Sequence, residues 1–145
     1  MTTLIPVTPN HTVLLSNWFH NDPEGQKRLG LYASYESWAK FLEPQKRFGW
    51  IAYDENDEAF GFVDLEKMPK NQAYFSFYIA AEQRGKGKSR QLLQALVHKA
   101  RQLHIAKLMG TAEKDNPASQ NALASFGFEQ AGIDKDGFLI YALIL

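Results

Sequence analysis

Arg84, Gly85, Lys86, Gly87, Lys88, Ser89 and Arg90 follow directly on an apolar run ending near Ile79, and they open a stretch of helical periodicity. A strand that runs into a glycine-rich basic loop and then a helix leaves backbone N–H groups unpaired at the positive end of a helix dipole. Gly85 and Gly87 have no Cβ to hold a ligand away from the backbone. Four basic side chains crowd the same point in a chain whose formal net charge is zero. That chemistry seats a phosphate or pyrophosphate. Three motifs compete for it. Gly87-Lys88-Ser89 matches the end of a nucleotide P-loop, but the glycine that opens that motif is replaced by Glu82. A carboxylate is poorly suited to begin a phosphate cradle. The dinucleotide fingerprint lacks its third glycine. The third pattern is Arg84-x-x-Gly87-x-Ser89, with small residues where the backbone must come close to a ligand.

The elements that must hold this loop can be read from periodicity. Thr3 to Val7 suit a first strand, and Thr8-Pro9 cap and open a helix reaching about His20. Residues 21–25 form a polar break. Ser34 caps a second helix that ends before Pro44 and sets Tyr35, Trp38, Ala39 and Leu42 on one face. Strands are expected over 48–53, 59–66 and 73–80, joined by turns at 54–58 and 69–71. Leu92, Leu93, Leu96, Val97, Ala100 and Leu103 recur at helical spacing after the loop. A strand over 107–113, a helix over 118–126 and strands over 128–131 and 138–145 complete the chain. The last strand is apolar on both parities, which places it inside the sheet. The order βααβββαβαββ is α/β with a mixed, mostly antiparallel twisted sheet flanked by helices, and residues 1–145 read as one domain.

Composition narrows the field. Sixteen basic and sixteen acidic residues balance, which argues against a surface given over to nucleic acid or anionic membrane. Cysteine is absent, so disulfides and thiolate metal sites are excluded. His11, His20, His98 and His104 lack metal-ligand spacing, and no metal is expected. Without a signal-like start or an 18-residue apolar run, the expected location is the cytoplasm. Trp18, Phe19, Trp38, Phe41 and Trp50 are expected mostly in the core.

Beyond the loop, Leu92-Leu93 follow at a fixed distance, and Asn116-Pro117-Ala118-Ser119 stands ahead of Leu123 and Gly127-Phe128. Together these resemble the two signatures of the GCN5-related N-acetyltransferase superfamily, over the chain from about Phe60 onward. Ser89 departs from the small Gly or Ala usual at its position. The resemblance implies a fold and an activity: transfer of an acetyl group from acetyl-coenzyme A, as cosubstrate, to a primary amine in a ternary complex. The acceptor is left open among small amines, amino acids, drug-like amines and protein N-termini. Backbone groups from Ile79 to Ala81 would then pair with the pantetheine arm. Amides of Gly85, Lys86, Gly87, Lys88 and Ser89, with Arg84, would hold the pyrophosphate. Asn116 and Ser119 would stand near the thioester, with a backbone N–H near Ile79 facing the oxyanion.

Two departures bear on mechanism. The tyrosine acid that many relatives carry seven residues after the asparagine is Leu123, and the glutamate base of some relatives is Thr111. Ser119 is therefore the expected proton donor to the thiolate. Glu113, on the strand parity of Thr111, is the expected base, with Asp64, Glu66 or water as alternatives. The acidic turn at 54–58, with Asp22 and Glu24, favours a cationic acceptor. The missing tyrosine and glutamate keep a non-catalytic acyl-coenzyme-A-binding or regulatory module as an alternative, and the P-loop match keeps a nucleotide-binding protein as a more distant one. Oligomeric state is open, with a homodimer among the options.

Overall fold

A computed structural model describes residues 1–145 as one seven-stranded sheet with helices on both faces. The strands are β1 (Thr3–Pro6), β2 (Arg47–Tyr53), β3 (Ala59–Met68), β4 (Gln72–Ile79), β5 (Lys107–Ala112), β6 (Glu129–Ile133) and β7 (Leu139–Ile144). Their order across the sheet is β1-β2-β3-β4-β5-β7-β6. All neighbours are antiparallel except β4 and β5. As its apolar pattern requires, β7 lies inside the sheet, between β5 and β6.

Helices α1 (Thr12–His20), α2 (Pro23–Leu29) and α3 (Tyr35–Ala39) precede β2, α4 (Lys88–Gln102) joins β4 to β5, and α5 (Pro117–Phe126) joins β5 to β6. Strand alternation splits the core into two layers. Val63, Leu65, Phe75 and Ile79 point to the face covered by α4 through Leu92, Leu93, Leu96 and Ala100. Ile51, Phe62 and Tyr78 point to the other face, where Leu15, Trp18, Phe19 and Trp38 cover them. Of the five aromatics expected in the core, only Phe41 is exposed, and Arg47 lies over its ring at 5.1 Å.

Three local readings need correction. Residues 21–25 are not a simple break, because Asp22 caps α2 by accepting the Gly25 N–H at 3.1 Å and Pro23 stands in its first turn. That is the usual chemistry of a helix start, hidden by the polar composition of so short a helix. The first helix is a 3-10 turn at Pro9–His11 running into α1. Ser34 does cap α3, accepting the Ser37 N–H at 3.2 Å, but α3 stops at Ala39, well short of Pro44.

Candidate active site

The site forms where the sheet comes apart. The parallel register of β4 with β5 runs from Gln72 opposite Lys107 to Phe75 opposite Gly110, and no further. Beyond that point β4 continues to Ile79 alone. On its other edge the Ala80 N–H donates to the Phe60 carbonyl at 2.9 Å, and Gly61 lies opposite Ile79. Antiparallel strands alternate bonded and unbonded pairs. Even-numbered β4 residues therefore bond to β3, and the backbone groups of Phe77 and the Ile79 N–H open into the wedge. The wedge offers a free strand edge that an extended ligand arm can complete.

At the outer end of that edge the chain makes a 3-10 turn at Ala81–Gln83 and enters the loop. Gly85 and Gly87 have φ of +76° and +74°, and a Cβ built on either meets nothing within 4 Å. Their left-handed backbone favours glycine, and the space in front of them is open. Gly87 is the N-cap of α4, with no side chain capping the helix and no acidic residue in its first turn. The first helical bond there runs from the Gln91 N–H to the Gly87 carbonyl. The amides of Lys88, Ser89 and Arg90 thus remain free at the positive end of a 15-residue helix, a geometry suited to a pyrophosphate.

The basic side chains divide their work. Arg84 is tied down on both sides: its Nε donates to the Ile79 carbonyl at 3.0 Å and its Nη2 to Asp22 at 2.7 Å. Lys88 reaches Asp54 at 3.5 Å, and Arg90 lies over the Phe126 ring. Lys86 is exposed and forms no ion pair. The turn at 54–58, expected to steer a cationic acceptor, lies against the loop instead. Asp54 bonds the turn's own amides, at 2.9 Å to Asn56 and 3.0 Å to Glu58, which along with Lys88 hold its carboxyl below the ordinary range.

Asp22 ties the loop to α2. It is buried and accepts from Gly25, from the Tyr78 hydroxyl at 2.7 Å and from Arg84. Burial acts to raise its carboxyl, but the bonds from Arg84, Tyr78 and Gly25 outweigh it and hold the pKa below the usual value. Tyr78 is pushed far upward, by burial first and then by Asp22. No room for a side chain exists at Gly25, where a Cβ would stand 2.5 Å from Asp22 Oδ2. At the other end of α2, Arg28 reaches Glu113 at 2.5 Å, Asp115 at 3.5 Å and Glu24 at 3.5 Å. The short helix is thus strapped across the wedge, to β4 and the loop on one side and to the β5–α5 connection on the other.

Two cavities meet in this wedge. The larger, of about 500 Å³, runs from Gly85, Gly87 and Ser89 along Phe77, Tyr78 and Ile79 to Asn116 and Ser119. The smaller, of about 250 Å³, lies beyond, between Tyr32, Ser76, Thr111 and Glu113. Arg28, Leu29, Phe77, Asn116 and Ser119 border both. The wedge brings together Ile79, Arg84, Gly85, Gly87, Lys88, Ser89, Asn116 and Ser119, while Ala81 and Lys86 stand outside the larger cavity. Asn116 caps α5, its Oδ1 accepting the Ser119 N–H at 3.4 Å, so its helix-start role and its place at the junction coincide. The Ser119 hydroxyl bonds to no protein group. Glu113 lines the smaller cavity, with Oε2 bonded to Arg28.

Asp64, an alternative base, borders neither cavity. Trp38 donates to it at 2.7 Å and Arg47 at 3.0 Å; burial raises its carboxyl more than those bonds lower it. Arg28, Leu29 and Gln83 were not legible as site residues in the sequence; an Asp-Pro helix start before 24–29 was the available signal for the first two.

A free strand edge in a β4–β5 wedge, leading to an uncapped loop-to-helix anion seat, suits an extended ligand that ends in a pyrophosphate. The profile of the Acetyltransferase (GNAT) family matches residues 12–128. The chain belongs to this family and is an acyltransferase. It is similar to the uncharacterized N-acetyltransferase YfmK of Bacillus subtilis (strain 168), at 26% identity over 132 residues, 90% of this chain and 88% of that one. Among solved structures it resembles the aminoglycoside acetyltransferase AAC(6')-Ib in complex with coenzyme A and kanamycin, with a TM-score of 0.83 and 19% identity over 99% of this chain and 95% of the other. A spermidine N-acetyltransferase SpeG chimera from Vibrio cholerae and hSSAT matches with a TM-score of 0.80 and 17% identity over 99% and 95%. At these identities the structural likeness establishes the fold.

Proposed function

We propose that the chain transfers an acetyl group from acetyl-coenzyme A to a primary amine by direct attack, with the thioester and the amine meeting at the junction of the two cavities. The observation that carries this reading is the continuity of the larger cavity from the uncapped N-terminus of α4 to Ser119, along the free edge of β4. Pyrophosphate would rest on the amides of Gly87, Lys88 and Ser89, with Gly85, Lys86 and Arg84 shaping the loop around it. The open backbone groups of Phe77 would pair with the pantetheine arm; from Ile79 to Ala81 the Ile79 carbonyl is taken by Arg84 and the Ala80 N–H by Phe60, which leaves the Ile79 N–H free. Acetyl-coenzyme A supplies an activated acyl group, and the protein supplies alignment, charge stabilisation and proton transfer.

In this scheme the amine nitrogen forms its bond to the acyl carbon as the carbon–sulfur bond breaks. The acceptor arrives as an ammonium; Glu113 takes its first proton through Oε1, the oxygen that Arg28 leaves free, which frees the lone pair for attack, and the second proton passes from the acylated nitrogen to water. The Ile79 N–H faces the developing oxyanion. Ser119 gives its hydroxyl proton to the leaving sulfur and regains one from water, while the free amide nitrogen of Asn116 helps orient the thioester. Coenzyme A release in the presence of amines tests the assignment. Ser119→Ala and Glu113→Gln are each expected to lower kcat about 10- to 100-fold with the affinity for acetyl-coenzyme A unchanged. Unchanged turnover in either variant removes that residue from the chemistry. Tight binding of acetyl-coenzyme A without transfer to any amine would instead favour a non-catalytic binding module.

A further inference from the structure

The smaller cavity has a chemical character of its own. Beside the hydroxyl-bearing Tyr32, Ser76 and Thr111, its walls carry the apolar Leu29, Leu31, Phe77 and Phe138. Leu31 and Phe138 keep 39% and 37% of their surface exposed, two large apolar side chains at one mouth where single ones are the norm. Carboxylates near this mouth are three, but only Glu113 lines the cavity. Asp115 and Glu24 lie outside it, with side chains 73% and 69% exposed and screened by solvent, and both share Arg28 with Glu113. The cavity therefore offers one carboxylate oxygen to one ammonium, with apolar surface for what the nitrogen carries. A second or third charge on the acceptor would find no second carboxylate in the cavity lining and would lose water against Leu29, Leu31, Phe77 and Phe138. At about 250 Å³ the space is also below the usual range for drug-sized ligands, roughly 300–1,000 Å³.

We infer that the acceptor is a small, singly charged primary amine with an apolar body, aryl or branched alkyl, seated between Leu31 and Phe138 with its nitrogen toward Glu113. This inference rests on the acetyl-transfer reading above and narrows its substrate. It separates the chain from the aminoglycoside and polyamine acetyltransferases whose fold it shares.

The test is coenzyme A release under saturating acetyl-coenzyme A with phenethylamine, isoamylamine, spermidine and kanamycin as acceptors. The expected result is a kcat/KM for phenethylamine and isoamylamine at least tenfold above those for spermidine and kanamycin. Phe138→Ser, a change at a partly exposed position, should raise the KM for phenethylamine at least fivefold, with kcat and the affinity for acetyl-coenzyme A little changed. Preference for spermidine or kanamycin overturns the inference while leaving acetyl transfer intact. An unchanged KM for phenethylamine in both Phe138→Ser and Leu31→Ser overturns it as well. Binding of acetyl-coenzyme A with no turnover of any of the four amines overturns the inference together with the transfer reading beneath it.

Discussion

Replacing Asp22 by alanine removes three bonds at once, and their cost can be worked out from the structure. The Gly25 N–H loses its cap, worth about 1 kcal/mol at a helix start. The Tyr78 hydroxyl, on a residue 3% exposed, is left without an acceptor at about 1–3 kcal/mol. The ion pair with Arg84, whose side chain is 47% exposed, adds less than about 1 kcal/mol. Removing a buried charge can bring a compensating gain, but not here, because the depressed pKa of Asp22 means that the folded protein favours the ionised form. The total comes to about 3 kcal/mol, or a fall in Tm of about 10 °C for a domain this size. Urea unfolding at pH 7, followed by circular dichroism, measures it. Arg84 is freed from the same anchor, so affinity for acetyl-coenzyme A should also fall about tenfold. A stability loss under 1 kcal/mol would refute the idea that Asp22 holds α2 and the loop together.

Asp22 also sets a pH dependence. A carboxyl whose folded pKa lies below its unfolded value, about 3.9, stabilises the protein above that value and loses the contribution as pH falls through the folded pKa. Asp22→Asn should therefore show a shallower loss of Tm below about pH 4 than the parent protein; parallel curves would contradict the assignment. Asp64, whose carboxyl is raised, acts with the opposite sign: its contribution is fully present below about pH 3.9 and lost as pH rises through the folded value. Gly110→Ala places a Cβ 2.9 Å from the Phe75 ring, at the last paired position before the strands part. It should cost about 1–2 kcal/mol and reduce kcat/KM along with stability, both read from thermal unfolding and coenzyme A release.

Much of the architecture was legible because it is written in local chemistry. The apolar, aromatic-rich runs at 59–66 and 73–80 stand between turn residues and are buried on both faces, whereas the helical spacing of Leu92, Leu93, Leu96 and Ala100 reflects one buried face. The anion seat was equally local: strand, glycines and helix start follow in sequence. What escaped was long-range. Arg84 looks like solvated charge until Asp22, 62 residues away, is folded against it. Glu113 and Arg28, 85 residues apart, meet only because α2 crosses the wedge. Helix α2 itself was hidden because its seven residues bury only Gly25 and carry no apolar stripe to announce it.

The most direct test of the central claim, that the β4–α4 loop seats acetyl-coenzyme A, is calorimetric titration of the protein and of Gly87→Glu with acetyl-coenzyme A and, separately, with magnesium ATP. The variant puts a carboxylate into the open space before the α4 amides, at a left-handed position where a side chain costs about 1–2 kcal/mol. Circular dichroism confirms that it remains folded. The account predicts one acetyl-coenzyme A per chain for the parent protein, no measurable binding to the folded variant, and no heat with ATP. Undiminished binding to Gly87→Glu, or binding of ATP in place of acetyl-coenzyme A, would contradict it.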